Sequence, residues 1–195
     1  MNGQYRGPAA ESGISRAQGA ALELFQIAAM MLGDEEEAVA LVEDAFAGVQ
    51  ADPCADAGAA EDQALPRLLE TALRRVLRRS PQAFAAPPDS ADSAACIETE
   101  DLSAAGMDAL AVLLQEPERR AIREWLDQLT PALRIVFVLR AIAGRDAEQT
   151  RETLNRSGAA GARLWGREQV GIAYRRALCS LANSLLTSNA RAVPA

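Results

Sequence analysis

The chain has no histidine and no lysine, so every one of its basic residues is arginine. Without histidine there is no Ser-His-Asp or Cys-His nucleophile pair. Without lysine there is no Walker phosphate loop and no Schiff base. Cysteine is scarce: Cys54, Cys96 and Cys179 lie far apart without the paired spacing of a zinc site. Three unpaired cysteines point to a reducing compartment. No apolar run approaches the roughly 18 residues of a membrane span, and no basic-then-apolar signal opens the chain. The expected location is therefore the cytoplasm. Carboxylates abound, but each pair falls in a helix-start or loop context, and no serine or cysteine has a base beside it. The chain reads as neither an enzyme nor a holder of metal or cofactor.

Aromatic residues make up only 4% of the chain, and β-branched residues are few outside 135–142. Alanine and leucine dominate, which favours helix over sheet. The expected class is all-α, with small helical domains and thin cores.

Charge is laid out in blocks. The net charge is −7, which argues against nucleic acid covering the whole surface. Residues 17–66 hold no arginine but many acids, whereas "RLLETALRRVLRR" packs five arginines into 67–79. Residues 80–118 are again acidic, arginine returns from Arg119, and no acid follows Glu168. Such blocks suit separate surfaces for separate partners; ordinary solvated helix faces are the plainer reading.

Residues 1–15 are Gly- and polar-rich and read as a loose leader. A helix over 16–32 follows, with Leu22, Phe25, Ala29 and Leu32 on one stripe. Gly33 ends it, and Asp34 caps the next, with Glu35, Glu36 and Glu37 in its first turn, where the helix dipole favours anions. A loop leads to a third helix over 65–79. Residues 80–101, rich in Pro, Ala, Ser and acid, read as a linker. Beyond it come a short helix over 107–114, a helix opened by Pro117 with Ile122, Trp125, Leu126 and Leu129 buried, and "ALRIVFVLRAIAG", apolar nearly all round and hence central. Asp146 caps "AEQTRETL", and a last amphipathic helix presents Val170, Tyr174, Ala177, Leu181 and Leu185.

The stretch "TLNRSGAAGARLWGREQVGIAYRRAL", 153–178, reads as two helices held apart by about eleven residues, 155–165. Gly158 and Gly161 let the backbone turn without strain, and Trp165 is a candidate hydrophobic plug that re-docks the second helix. In that helix Arg167 can fork onto guanine and Gln169 onto adenine, with Arg175 and Arg176 on phosphates. An amphipathic closing helix with a solvated arginine rim is the alternative. Arg74, Arg75, Arg78 and Arg79 would supply a phosphate clamp, or merely stabilise a helix C-terminus against its dipole and pair with the acidic second helix.

This order of pieces resembles the bacterial RNA polymerase sigma factors of the extracytoplasmic-function type. The likeness rests on "LGDEEEAVALVEDAF" at 32–46, on "RLLETALRRVLRR" at 67–79, and most specifically on "LDQLTPALRIVFVLRAIAGRDAEQTRETL" at 126–154. The resemblance implies two small helical domains joined by a flexible linker: 16–79 for polymerase docking and −10 recognition, 80–101 as linker, and 102–191 with a helix-turn-helix for the −35 element. It implies core RNA polymerase and promoter DNA as partners, with an anti-sigma factor as a further one. Docking to polymerase would fall on Glu36, Glu37, Val39, Ala40, Glu43 and Asp44, where Val39 and Ala40 leave an apolar stripe outside the core.

The chain departs from the family in three places, one being that the third helix keeps its arginines but lacks the family's aromatic and Asn positions. The turn at 155–165 is longer than helix-turn-helix docking ordinarily uses. The loop at 51–63 is acidic and has no aromatic residue, which repels a phosphate backbone rather than holding one. Two functions follow: a promoter-directing initiation factor, or a sigma-fold adaptor or decoy that works by protein contact alone.

Overall fold

The computed structural model describes residues 8–88 and 118–192, and all regular structure among them is helical. The chain divides into two compact units, Met1–Arg75 and Val76–Ala195.

In the first unit, α1 (Pro8–Leu32) packs along α2 (Glu35–Ala47), and α3 (Ala57–Arg79) begins in this unit and runs past its end. The corner between α1 and α2 forms as its residues dictate. Gly33 takes φ +70, a conformation that costs a residue without a Cβ little. Asp34 then accepts a hydrogen bond from Glu37 N at 2.9 Å, with three glutamates in the first turn. Leu24, Ala28 and Met31 of α1, Ala38 and Leu41 of α2, and Leu68, Leu69 and Leu73 of α3 are buried.

Three expectations are corrected in this unit. Helix α1 starts at Pro8, so the second half of the expected leader is helical. Of its expected stripe, Ala29 and Leu32 are buried, but Phe25 is only half-buried and Leu22 is 53% exposed, and Leu24, Ile27, Ala28 and Met31 join the core instead. Helix α3 starts at Ala57 rather than 65, because Asp56 accepts from Ala59 N at 3.0 Å and caps a run of alanines. Pro66 lies inside this helix, although proline normally opens one.

In the second unit, α4 (Glu118–Gln128) is followed by α5 (Pro131–Phe137), which continues into a wider π turn, Val138–Ile142. Then come α6 (Ala147–Arg156), a single 3-10 turn (Ala162–Leu164) and α7 (Arg167–Ala192). The central segment is as apolar as its sequence demands: Ile135, Val136, Phe137, Val138 and Leu139 have no solvent exposure. Trp125 meets Phe137 edge to face at 4.9 Å, and its indole N–H donates to Ser180 Oγ at 3.1 Å. Val170, Tyr174, Ala177 and Leu181 of α7 are buried, as expected, and the side chain of Leu185, the fifth residue of that stripe, lies outside the described residues. Gly144, at φ +62, ends the π turn. Asp146 and Gln149 form a reciprocal capping box at 2.8 and 3.0 Å that starts α6.

The expected linker is corrected at its start. Residues 80–88 form turns, and Phe84 is fully buried. The remainder of that segment and the short helix expected over 107–114 lie outside the described residues. Cysteine pairing also differs from expectation: Cys179 is disulfide-bonded, while Cys54 is free and exposed. Unpaired thiols therefore no longer point to a reducing compartment. No helix among the described residues is long and apolar enough to cross a membrane.

Candidate nucleic-acid and protein-docking surfaces

The long turn between α6 and α7 is folded on itself. Gly158 and Gly161 take φ +72 and +78, reversing the chain, and the 3-10 turn brings Trp165 inward. Trp165 is 2% exposed. Its ring meets Phe84 edge to face, with centroids 4.9 Å apart, and its indole N–H donates to the Phe84 carbonyl at 3.1 Å. Trp165 is thus buried, and the partner shown for it is Phe84, a residue of the expected linker, not the neighbouring helix α6. Gly161 is needed at its position because a Cβ there would lie 2.4 Å from the Phe84 oxygen.

A polar relay also ties α6 to α7. Arg151 donates from Nε to Glu148 Oε1 at 3.0 Å and makes a second, short bond from Nη2 to the same oxygen. Arg167 Nε lies 3.7 Å from the other oxygen, Oε2. The Glu148 carboxyl is held below its ordinary range, first by the hydrogen bond from Arg151 and then by the charges of Arg151 and Arg167. With its amide turned to satisfy its neighbours, Asn155 accepts from Arg151 Nη1 at 3.0 Å and donates to the Ala162 carbonyl at 3.3 Å. The relay therefore runs from the first turn of α7, through α6, to the 3-10 turn.

The residues expected to read DNA fare unequally. The Arg167 side chain is 74% exposed. Gln169 is half-buried, and its Oε1 accepts from Gly166 N at 3.0 Å, so it closes the start of its own helix. Arg175 and Arg176 are half-buried two turns further on. Composition and periodicity do not single out Arg151, Arg163 or Leu164. Arg163 and Leu164 stand exposed on the 3-10 turn, and Leu164 is 61% exposed. The spacing of Glu148 and Arg151 is legible as a helical ion pair; their junction with Arg167 is not.

On α3 the arginines divide between structural ties and exposed positions. Arg75 pairs with Asp44 at 3.5 Å and donates to the Glu37 carbonyl at 3.3 Å, which makes it a tie between α3 and α2. Arg74 pairs with Glu70 at 2.6 Å, one turn back. Arg78 and Arg79 are exposed. Arg67 donates to the Gly48 carbonyl, closing the end of α2. A shallow groove of about 290 Å³ between α2 and α3 has Asp44, Arg67, Glu70 and Arg74 on its walls, so its charges balance internally.

The α2 face matches its expected exposure only in part, since Glu37 is not exposed and Asp44 is paired. Glu36, Val39, Ala40 and Glu43 are exposed, and Val39 is 48% exposed. Glu37 is half-buried, and Asp44 is exposed but occupied by Arg75. This surface is an apolar strip bordered by carboxylates. Among the described residues no group of His, Cys, Asp or Glu is arranged to hold a metal ion. The chain matches no protein-family model, no curated protein and no solved structure.

Proposed function

We propose that this chain is a sigma-factor-like transcription initiation factor, which docks on core RNA polymerase through the exposed strip of α2 and contacts promoter DNA through α7 and the end of α3. Such a role belongs in the cytoplasm and needs neither cofactor nor catalytic group. The observation that carries the reading is Arg167. It stands exposed on the first turn of α7, a helix that packs on α5 and α6 in spite of the long turn. Recognition helices present their first turn to the bases. Arg78 and Arg79 add exposed positive charge on α3, where phosphate neutralisation supplies affinity.

Run-off transcription with reconstituted polymerase tests it. The chain is expected to direct initiation from its own promoter region, with loss on Arg167→Ala and on Val39→Glu while the fold is retained. Polymerase binding without any initiation or DNA contact would overturn it in favour of the adaptor reading. Two observations favour that second reading: the Gln169 amide oxygen is engaged within the protein, and Glu168 shares the first turn of α7. A chain acting only by protein contact would lose partner binding on Val39→Glu and be indifferent to Arg167→Ala.

A further inference from the structure

Arg151 and Arg167 come from different helices, yet both approach one carboxylate: Arg151 hydrogen-bonds one oxygen, and Arg167 Nε lies 3.7 Å from the other. Two cations thus share one anion within this assembly, although the charges of Asp146 and Glu152 also act on it. It is also open to solvent: the Arg167 side chain is 74% exposed and Glu148 37% exposed. Arg151 is 33% exposed and also held by Asn155, so one guanidinium is held on two sides and the other by the carboxylate alone. Two guanidiniums facing one oxyanion group is the geometry that binds a phosphate, since planar donors fork onto paired oxygens.

We propose that Arg151, Glu148 and Arg167 form an anion-exchange site, in which a backbone phosphate of duplex DNA replaces Glu148 as the partner of Arg167 and is shared with Arg151. The proposal rests on the nucleic-acid reading above and goes beyond it. It assigns Arg151 as a phosphate contact and Glu148 as an internal competitor that preorganises the two arginines when DNA is absent. Because the carboxylate already holds the guanidiniums convergent, little ordering is left to binding. The cost is that the carboxylate stands near the incoming phosphate and repels it, which makes association weaker and its salt dependence shallower than the arginine content alone would give.

This predicts an unusual sign. If Glu148 merely braces the helix pair, Glu148→Gln loosens α7 and weakens DNA binding. If it competes with phosphate, Glu148→Gln keeps an oxygen for Arg151, removes the negative charge, and tightens binding. The experiment measures affinity of the full chain, with core polymerase, for a fluorescent promoter duplex across a salt series, with circular dichroism confirming the fold of each variant. Glu148→Gln is expected to tighten binding about fivefold, because the repelling charge is gone. Arg151→Ala and Arg167→Ala are each expected to weaken it and to reduce the salt slope by about one phosphate contact. Wild-type binding with an unchanged or weaker Glu148→Gln, or with Arg151→Ala leaving the slope intact, overturns this inference and leaves the nucleic-acid reading standing. No salt-dependent binding by the wild type overturns both.

Discussion

Trp165 and Phe84 are 81 positions apart, yet the indole N–H of one donates to the carbonyl of the other while their rings meet edge to face. The contact turns a Gly-rich insertion into a fixed corner and makes residues 80–88 part of the second unit. Trp165→Ala is expected to destabilise that unit by about 3–5 kcal/mol, the usual cost of emptying a large aromatic site. Trp165→Phe keeps the ring contact but orphans a buried carbonyl, at about 1–3 kcal/mol. Urea unfolding followed by the fluorescence of Trp125, the one tryptophan left in these variants, measures both. Equal stability of Trp165→Ala and wild type would refute the anchoring role.

The local signals of the chain are legible because local chemistry decides them. Gly33 with Asp34, and Asp146 with Gln149, set helix boundaries by hydrogen bonds spanning a few residues, and the apolar block around Phe137 could only be central. Non-local features are hidden. Nothing in "SPQAFAAPP" distinguishes a linker from a docked strap, because Phe84 finds its partner far along the chain. The start of α3 is obscured by Pro66, which ordinarily opens a helix but here sits inside one. On α1 the alanine-rich sequence supports more than one stripe, so the pattern points Leu22 inward although Leu24 takes that position. Of the candidate site, arginine content and Trp165 can be read; the sharing of Glu148 between two helices cannot, since it depends on how the turn folds.

The glycines separate by the space around them. Gly161 has φ +78, and a Cβ there would collide with backbone at 2.4 Å, so Gly161→Ala is expected to cost more than the roughly 1–3 kcal/mol of left-handed strain alone. Gly158 has φ +72 but open space around it, so Gly158→Ala should cost only the strain. Gly19 and Gly171 lie inside helices, and a Cβ at either would meet nothing within 4 Å. Replacing either with alanine is expected to stabilise by about 0.5–1 kcal/mol, through lower chain entropy when unfolded. Thermal melts of the four single variants should therefore fall into three classes, with Gly161→Ala lowest and the two helical variants above wild type.

Glu61 gives the first unit a pH dependence of definite sign. Its carboxyl is pushed above the ordinary range, first by desolvation and then by the neighbouring Glu23 carboxylate, with Asp62 adding to it. A folded pKa above the unfolded one means that the native state binds more protons across the interval between the two. Stability contributed by this group is therefore full below the ordinary glutamate range and lost as pH rises through the folded pKa. Glu61→Gln is expected to raise the melting temperature at neutral pH, with the gain shrinking to nothing as pH falls to the usual glutamate range, roughly 4.3. Melting curves by far-ultraviolet circular dichroism across that interval check it; a gain that grows toward acid would reverse the assignment.

Arg75 and Arg78 lie one turn apart on α3 but answer to different demands. Arg75 is bound to the Asp44 carboxylate and the Glu37 carbonyl, with only 21% of its side chain exposed, whereas Arg78 is exposed at the end of the helix. Arg75→Ala removes a tie between α3 and α2 and is expected to lower stability by about 1 kcal/mol, in the range for a partly exposed pair with one further hydrogen bond. Arg78→Ala should change stability by less than about 0.5 kcal/mol, as surface substitutions do. If α3 also grips phosphate, the order inverts in the DNA assay: Arg78→Ala lowers affinity and flattens its salt dependence, and Arg75→Ala does neither once the fold is held by lower temperature. Stability loss confined to Arg75→Ala, together with affinity loss confined to Arg78→Ala, is the expected pattern. The same loss of affinity from both variants would mean that the helix acts through its overall charge and not through the exposed arginine at its end.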